Sequence, residues 1–343
     1  MPKSAASSSA ACRPICSRRS VLARLAGGAV ALGTASRALH AQAFPTKPLR
    51  LVLGFPPGGS GDFVGRTLAD EAARLLGQPV VVENRPGAAT NIASSEVARA
   101  EPDGHTLLLG GSFSHSVNPV LFGARLPYDA QRDFAPVIKV ATLPTVFAVP
   151  AALNLGTLQE FIREARARGA QWNYASAGIG SPGHIAGGYF TRATGLALQH
   201  VPYKGSSEAV RALIAGEVQL TITSPPSVIA FAREGRLRLL ALTTPGRSRL
   251  LPEVPGSDEA GLKDFNLDGW YGVFAPARTP AAAVTRLFEA FAAVLAKPEV
   301  VARLESQAAT PEPSASPAAF AQFVRDNAAA WEQIVRRSGA QLS

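Results

Sequence analysis

Cysteine is almost missing from this chain. There are two among 343 residues, Cys12 and Cys16, and none follows position 16. Past the N-terminal segment there is thus no disulfide, no thiolate nucleophile and no Cys-ligated metal. The histidines beyond residue 43 are His105, His115, His184 and His200, and they form no H-x-x-x-H pair. No Gly-Lys-Ser/Thr follows a glycine turn, which excludes a Walker A loop. No G-x-S-x-G elbow surrounds a serine. A run of the ~20 apolar residues that a membrane span requires is wanting too. The nearest candidate is shorter and is interrupted by Arg24.

The positive charge is unevenly placed. The formal charge is +9, but residues 1–43 hold six Lys/Arg and no Asp or Glu, leaving 28 basic against 25 acidic residues in the rest. Those remaining charges are interspersed, with no basic stripe and no interleaved aromatics, so nucleic acid is not expected as a partner. The N-terminal charge has its own pattern. Ser17-Arg18-Arg19-Ser20-Val21-Leu22 precedes a mildly apolar run, Leu25–Ala35, and the small residues Ala41-Gln42-Ala43. This resembles a bacterial twin-arginine export signal, with Val21 where Phe is common. An ordinary secretory signal is the alternative. Cleavage is expected after Ala43, with Ala41 the second choice, and the location expected is the periplasm. Neither cysteine follows the apolar run, so a lipid anchor has no support.

From Leu49 the chain alternates strand and helix patterns. Leu49–Phe55 reads as a short apolar strand, Pro56–Gly59 as a turn, and the residues from Gly61 as a helix. On that helix Val64, Leu68, Ala72 and Leu75 share one face, and Gly77 stops it. Pro79–Glu83 and Thr106–Leu109 are further strands, with a helix over Thr90–Ala100 between them. A second series begins near Val146. It has a capping-box helix from Thr157, strands ending at Ala175, Pro202, Thr223 and Thr243, and helices between them. Trp270–Ala275 reads as a strand returning to the first sheet, followed by helices over Pro280–Lys297 and Pro317–Arg337, the latter with Ser316 as N-cap. Such alternation predicts helix-covered, mostly parallel sheets. The order predicts two α/β lobes, residues 44–146 with 266–343 and residues 147–265, after a signal of residues 1–43.

Ligands on such sheets sit beyond the carboxyl ends of the strands. The Pro57–Asp62 turn and Gly111–His115 meet that description in the first lobe. A helix start leaves N–H groups without intrahelical partners and carries the positive end of the macrodipole, so a strand–glycine turn–helix suits an anion without any charged side chain. In the second lobe Gly178-Ile179-Gly180-Ser181-Pro182-Gly183 is a literal G-x-G-x-x-G. No acidic residue ends the next strand, which runs instead into Pro202-Tyr203-Lys204, so a second anion-holding turn is favoured over a dinucleotide site. Ser112 and Ser114 beside His115 invite a nucleophilic reading, but the bland one is donors lining a cleft. Asp62, in the first helical turn, is expected to cap. Convergent donors without a base or nucleophile suggest binding without turnover, with no metal and no cofactor.

The segments FPPGGSGDFVGRTLADEAARLLGQPVVVENRPGAATNIASSEVARAEPDGHTLLLG, SHSVNPVLF, LPYDAQRDFAPV, NYASAGIGSPGH, HVPYKG and WYGVFAPARTP, in this order, resemble one family. It is that of the periplasmic solute receptors of tripartite tricarboxylate transporters, and the similarity runs from about Phe44 to the C-terminus. The resemblance implies a two-lobed type II periplasmic-binding-protein fold and a small carboxylate as ligand. The carboxylate would be held by Phe55, Pro57, Gly58, Gly59, Ser60, Gly61 and Asp62 from one lobe. Ser176, Ala177, Gly178 and Ser181 would hold it from the other, with Tyr203, Lys204 and Gly205 assisting and Ser112, His115 and Thr223 nearby. It implies a two-subunit membrane permease as partner and a monomeric receptor. Two departures bear on specificity. Gly61 stands where the family often has Thr, and Thr223 where Asp is common. Loss of that Asp removes a partner for an amino group, so the expected ligand is a dicarboxylate, hydroxy acid or aromatic acid without an ammonium group. An exported α/β enzyme acting on a small acid, or a sensor for a signalling partner, remains the alternative.

Overall fold

A computed structural model of the protein describes residues 44–263, 265 and 267–339. The expected export signal, its expected cleavage site and both cysteines lie outside them. The first sheet begins with β1 (Leu49–Leu53), β2 (Val80–Asn84), β3 (Thr106–Gly111) and β4 (Phe134–Leu143). The chain then enters the second sheet through β5 (Val146–Pro150), β6 (Asn173–Ser176), β7 (Gln199–Pro202), β8 (Leu220–Thr223) and β9 (Leu237–Leu242). It returns through β10 (Gly269–Pro276) and the short β11 (Thr310–Pro311). The strand orders are β11-β4-β10-β3-β1-β2 and β7-β6-β8-β5-β9.

Among the described residues both sheets are mixed rather than mostly parallel as expected: three of the five strand pairings in the first and two of the four in the second are antiparallel, where the chain changes sheet. Strand β1 pairs parallel with β2 and β3, whereas β10 runs antiparallel between β3 and β4. In the second sheet β6 pairs parallel with β7 and β8, and β5 lies antiparallel between β8 and β9. The crossing segments are tied together. Thr145 Oγ1 and Thr243 Oγ1 lie 2.7 Å apart, Thr243 N–H donates to Thr145 O at 2.9 Å, and Thr243 Oγ1 donates to Leu267 O at 3.1 Å.

Helix α1 (Ser60–Leu76) covers β1 with Val64, Leu68 and Ala72, all fully buried, and with Leu76 rather than Leu75 as the last buried contact. Gly77 ends it in the left-handed conformation, its N–H donating to Ala73 O. Helices α2 (Asn91–Ala98) and α3 (Asn118–Phe122) follow, the latter after a π-helical turn at Phe113–Val117. The second sheet carries α4 (Leu158–Arg168), α5 (Pro182–Thr194), α6 (Ser206–Ala215) and α7 (Ile229–Arg233). The Thr157–Glu160 capping box is formed at α4, and Ser181 caps α5. Around this sheet Phe147, Phe161 and Phe190 are fully buried, each contributing about 2–3 kcal/mol of apolar transfer.

Helices α8 (Ala281–Leu295), α9 (Pro298–Glu305) and α10 (Pro317–Ser338) close the chain. Pro298 opens a new helix rather than ending α8 in a loop, as proline at a first helical position can. Helix α10 serves both cores. Its Phe320 and Val324 pack with Phe274 of the first sheet, while Trp331 and Val335 pack with Phe147 and Phe190 of the second. Among the described residues no helix is long and apolar enough to cross a membrane.

Candidate functional site

Loops from both sheets enclose one cleft of about 820 Å³. The first sheet supplies Gly54–Pro56 and Gly59–Gly61, the segment 86–90, Phe113, Phe122 and Tyr271. The second supplies Ala177–Ile179, Ser181–Gly183, the residues 202–206 with Glu208, and Ile222–Ser224. The walls meet at both margins. A Cβ built on Gly205 would collide with Pro56 Cγ, and one built on Gly180 would lie 3.0 Å from Leu121 Cδ2 and 3.4 Å from Ala89 Cβ.

Four helix N-termini end at this cleft, since Ser60, Pro182, Ser206 and the α2 N-cap Thr90 all line it. Gly59 caps α1 and Gly205 caps α6 with no side-chain bond to the first-turn N–H groups. The only charged side chains among the described lining residues are Lys204 and Glu208. Glu208 accepts the Lys204 N–H at 3.2 Å, so that backbone donor is already used. An anion here would be met by backbone dipoles and hydroxyls, with the exposed Lys204 as the one cation among the described lining residues.

Phe55, Gly59, Ser60, Gly61, Ala177, Gly178, Ser181, Tyr203, Lys204, Gly205 and Thr223 all line the cleft. Six expected residues do not, and the geometry says why. Pro57 and Gly58 form the exposed apex of the turn. Asp62 folds back beneath it, accepting from Gly58 N–H at 3.0 Å, Arg66 Nε at 3.0 Å and Asn84 Nδ2 at 3.0 Å. Burial pushes its carboxyl up, but Arg66, Gly58 and Asn84 together outweigh burial and hold it below the usual range. Asp62 is the turn's inner brace.

Ser112 Oγ accepts the Trp270 N–H at 3.0 Å, inside the first core. His115 is 0% exposed, stacked on Phe274 at 3.8 Å, with its Nδ1 2.8 Å from Ser114 Oγ. Burial drives the His115 pKa down to about 3. This Ser–His pair faces aromatic core, not the cleft. Ser176 is also buried, and its hydroxyl accepts Gly178 N–H at 3.1 Å and lies 2.7 Å from His200 Nε2.

The turn 176–183 therefore rests on two imidazoles. His184 Nδ1 accepts the Gly180 N–H at 3.1 Å, and its ring stacks on His200 at 4.1 Å. Burial lowers His184 to about 4; burial and then the neighbouring His184 lower His200 to about 3. Both rings are neutral at neutral pH, as the Gly180 bond requires of an accepting nitrogen.

Reading the sequence missed three groups. Tyr271 lines the cleft with its hydroxyl 2.8 Å from Ser60 Oγ, and burial, less the help of Ser60, raises its pKa to about 12. Phe113 lines the cleft too, packing edge-on with the expected Phe55 (5.7 Å) as Tyr271 does (5.5 Å), which makes an aromatic wall. The segment Ala88–Ala89–Thr90 carries three successive non-glycine residues at φ 46°, 54° and 74°. Such conformations cost of order 1–3 kcal/mol each and persist only where the surroundings over-determine them. Among the described residues no group of three or more His, Cys, Asp or Glu is placed to hold a metal.

Comparison with known proteins accords with this geometry. Residues 64–340 match the family model of the tripartite tricarboxylate transporter family receptor. The chain is 34% identical to the protein BugT of Bordetella pertussis over 304 residues, covering 89% of this chain and 93% of that one. Among solved structures, Rpa4515 of R. palustris with adipate superposes with a TM-score of 0.84 at 34% identity, covering 87% of this chain and all (100%) of that one. MatC of Rhodopseudomonas palustris with bound malate gives 0.80 at 31% identity, covering 85% and 100%. The two-lobed fold, the cleft between its sheets and the extent of these matches lead to one conclusion: the chain belongs to the tripartite tricarboxylate transporter receptor family.

Proposed function

We propose that this protein is an exported periplasmic receptor that captures one small carboxylate between its lobes, residues 44–146 with 266–343 and residues 147–265. It releases the acid unchanged to a two-subunit membrane permease and acts as a monomer. The observation that carries the reading is the set of helix N-termini converging on one cleft whose described lining holds only Lys204 and Glu208 as charged side chains. That arrangement favours an anion and supplies no nucleophile with a base beside it. The relatives with adipate and malate supply the ligand class by likeness.

The ligand lacks an ammonium group. The cleft carries Thr223, with no second carboxylate at that position to pair with an amine, and the aromatic wall of Phe55, Phe113 and Tyr271 suits an apolar segment. Native mass spectrometry of protein taken from the periplasm without refolding tests the proposal. A single bound acid per chain supports it. A bound amino acid or nucleotide would contradict it.

A further inference from the structure

Thr90 is only 6% exposed and lines the cleft, yet its Oγ1 has no hydrogen-bond partner among the described residues. A buried hydroxyl left unpaired costs free energy, so an isolated one at a binding surface calls for an explanation. Thr90 is the N-cap of α2, where a threonine ordinarily turns its hydroxyl back onto the helix. Here it does not cap, because its φ of 74° replaces the extended backbone that capping needs.

The neighbours hold it in that conformation. Asn118 Nδ2 donates to Ala89 O at 2.7 Å, and Ser94 Oγ donates to Thr90 O at 3.1 Å. On the other side Gly54 leaves room for the threonine. A Cβ on Gly54 would stand 2.5 Å from Thr90 Cβ and 2.9 Å from its Cγ2 methyl. The methyl is thus packed beside Gly54, just past β1, and the buried hydroxyl of this cleft-lining residue is left without a partner among the described residues.

Resting on the receptor reading above, we propose that Thr90 Oγ1 is a specificity-determining ligand contact. It selects acids that carry a second oxygen function, a hydroxyl or a further carboxylate, beyond an apolar segment. A hydroxyl can donate to a carboxylate oxygen or exchange a bond with an alcohol, and an alkyl or aryl end can do neither. A site built to hydrogen-bond such a group rejects the analogue that lacks it, since the site's own hydroxyl is then stranded.

The test is titration calorimetry of the wild-type protein with three matched sets of probes. These are butanoate, 4-hydroxybutanoate and succinate; hexanoate, 6-hydroxyhexanoate and adipate; benzoate, 4-hydroxybenzoate and terephthalate. In the set that binds, the hydroxy acid or the diacid should bind about tenfold or more tightly than the plain monocarboxylate, the worth of one good hydrogen bond. The comparison of hydroxy acid with diacid identifies which oxygen function is meant.

Thr90→Val and Thr90→Gly should bring that ratio toward one, and Thr90→Ser should keep it. Thr90→Gly also relieves the left-handed strain, so its melting temperature should equal or exceed that of the wild type while selectivity is lost. A loss of selectivity in a variant that is no less stable cannot come from misfolding. Retention of the ratio in both Thr90→Val and Thr90→Gly, or a wild-type preference for the plain monocarboxylate, overturns the inference and leaves the receptor reading standing. Failure of the wild type to bind any member of the panel overturns both.

Discussion

The ring of Phe55 lies directly on Gly61, so that a Cβ on Gly61 would collide with Phe55 Cδ2. Gly61 is therefore not simply a lost hydroxyl at the anion turn. It makes the space in which Phe55 joins Phe113 and Tyr271 as an apolar wall. Gly61→Thr should displace the ring, at about 1–3 kcal/mol of stability for overpacking. Its selectivity should shift toward smaller acids. Adding Phe55→Leu should recover most of the stability. Chemical denaturation and competition titrations with acids of increasing length check both statements.

Gly205 and Pro56 make the corresponding contact across the cleft. Closure brings α6's N-terminus against the turn before α1, and only a residue without a Cβ fits. Gly205→Ala should hold the lobes apart and weaken acid binding by about tenfold, near 1.4 kcal/mol, while leaving the unliganded melting temperature close to wild type. Small-angle scattering with saturating acid should show less compaction than in the wild type. Unchanged affinity would mean that this contact is not part of the binding-competent form.

The hydroxyl of Tyr271 satisfies Ser60 at the start of α1, and both are buried. Tyr271→Phe leaves the serine without its partner and should cost about 1–3 kcal/mol. Ser60→Ala combined with Tyr271→Phe should cost less than the two single changes added together, because the pair is then removed as a unit. Denaturant midpoints of the four proteins in the cycle give the coupling energy.

Acid should unfold the protein through its buried imidazoles. His115, His184 and His200 have folded pKa values of about 3, 4 and 3, all below the ordinary 6.5. The unfolded chain thus binds more protons than the folded one between those values. Their stabilisation is complete above about pH 6.5 and is lost as pH falls toward about 4, by about 1.4 kcal/mol per group for each pH unit of that fall. Melting temperature should be flat on the alkaline side of that window and fall steeply within it. His184→Asn, which keeps an acceptor for Gly180 N–H, should flatten the fall. A melting temperature independent of pH across the window would contradict the neutral, stacked histidines.

Much of the fold was legible because its signals are local. The α1 stripe of Val64, Leu68 and Ala72, the Thr157–Glu160 capping box and the Ser316-Pro317 start are each written within a few residues. Strand β4 was not legible, since Pro136 interrupts its apolar run, and only the pairing of Pro136 with Phe274 on β10 shows how it is tolerated. The glycine turns gave half of the site for the same local reason. Tyr271 meets Ser60 from 211 positions away, and His184 and His200 support the second turn through stacking that no spacing encodes. The expectation that Ser112 and His115 line the cleft failed because the π-helical turn after β3 carries them into the core beside Trp270 and Phe274. The left-handed run at Ala88–Thr90 had no composition signal, as alanine and threonine rarely adopt it.

A cleft that holds a small acid without an ammonium group is tested most directly by thermal unfolding of the wild-type protein with paired acids, each carboxylate beside its amino-bearing counterpart. At about a hundred times its dissociation constant, a cognate dicarboxylate, hydroxy acid or aromatic acid should add about 2.7 kcal/mol and be recovered unchanged. Strong stabilisation by aspartate or glutamate, with none by their deaminated analogues, would contradict the account.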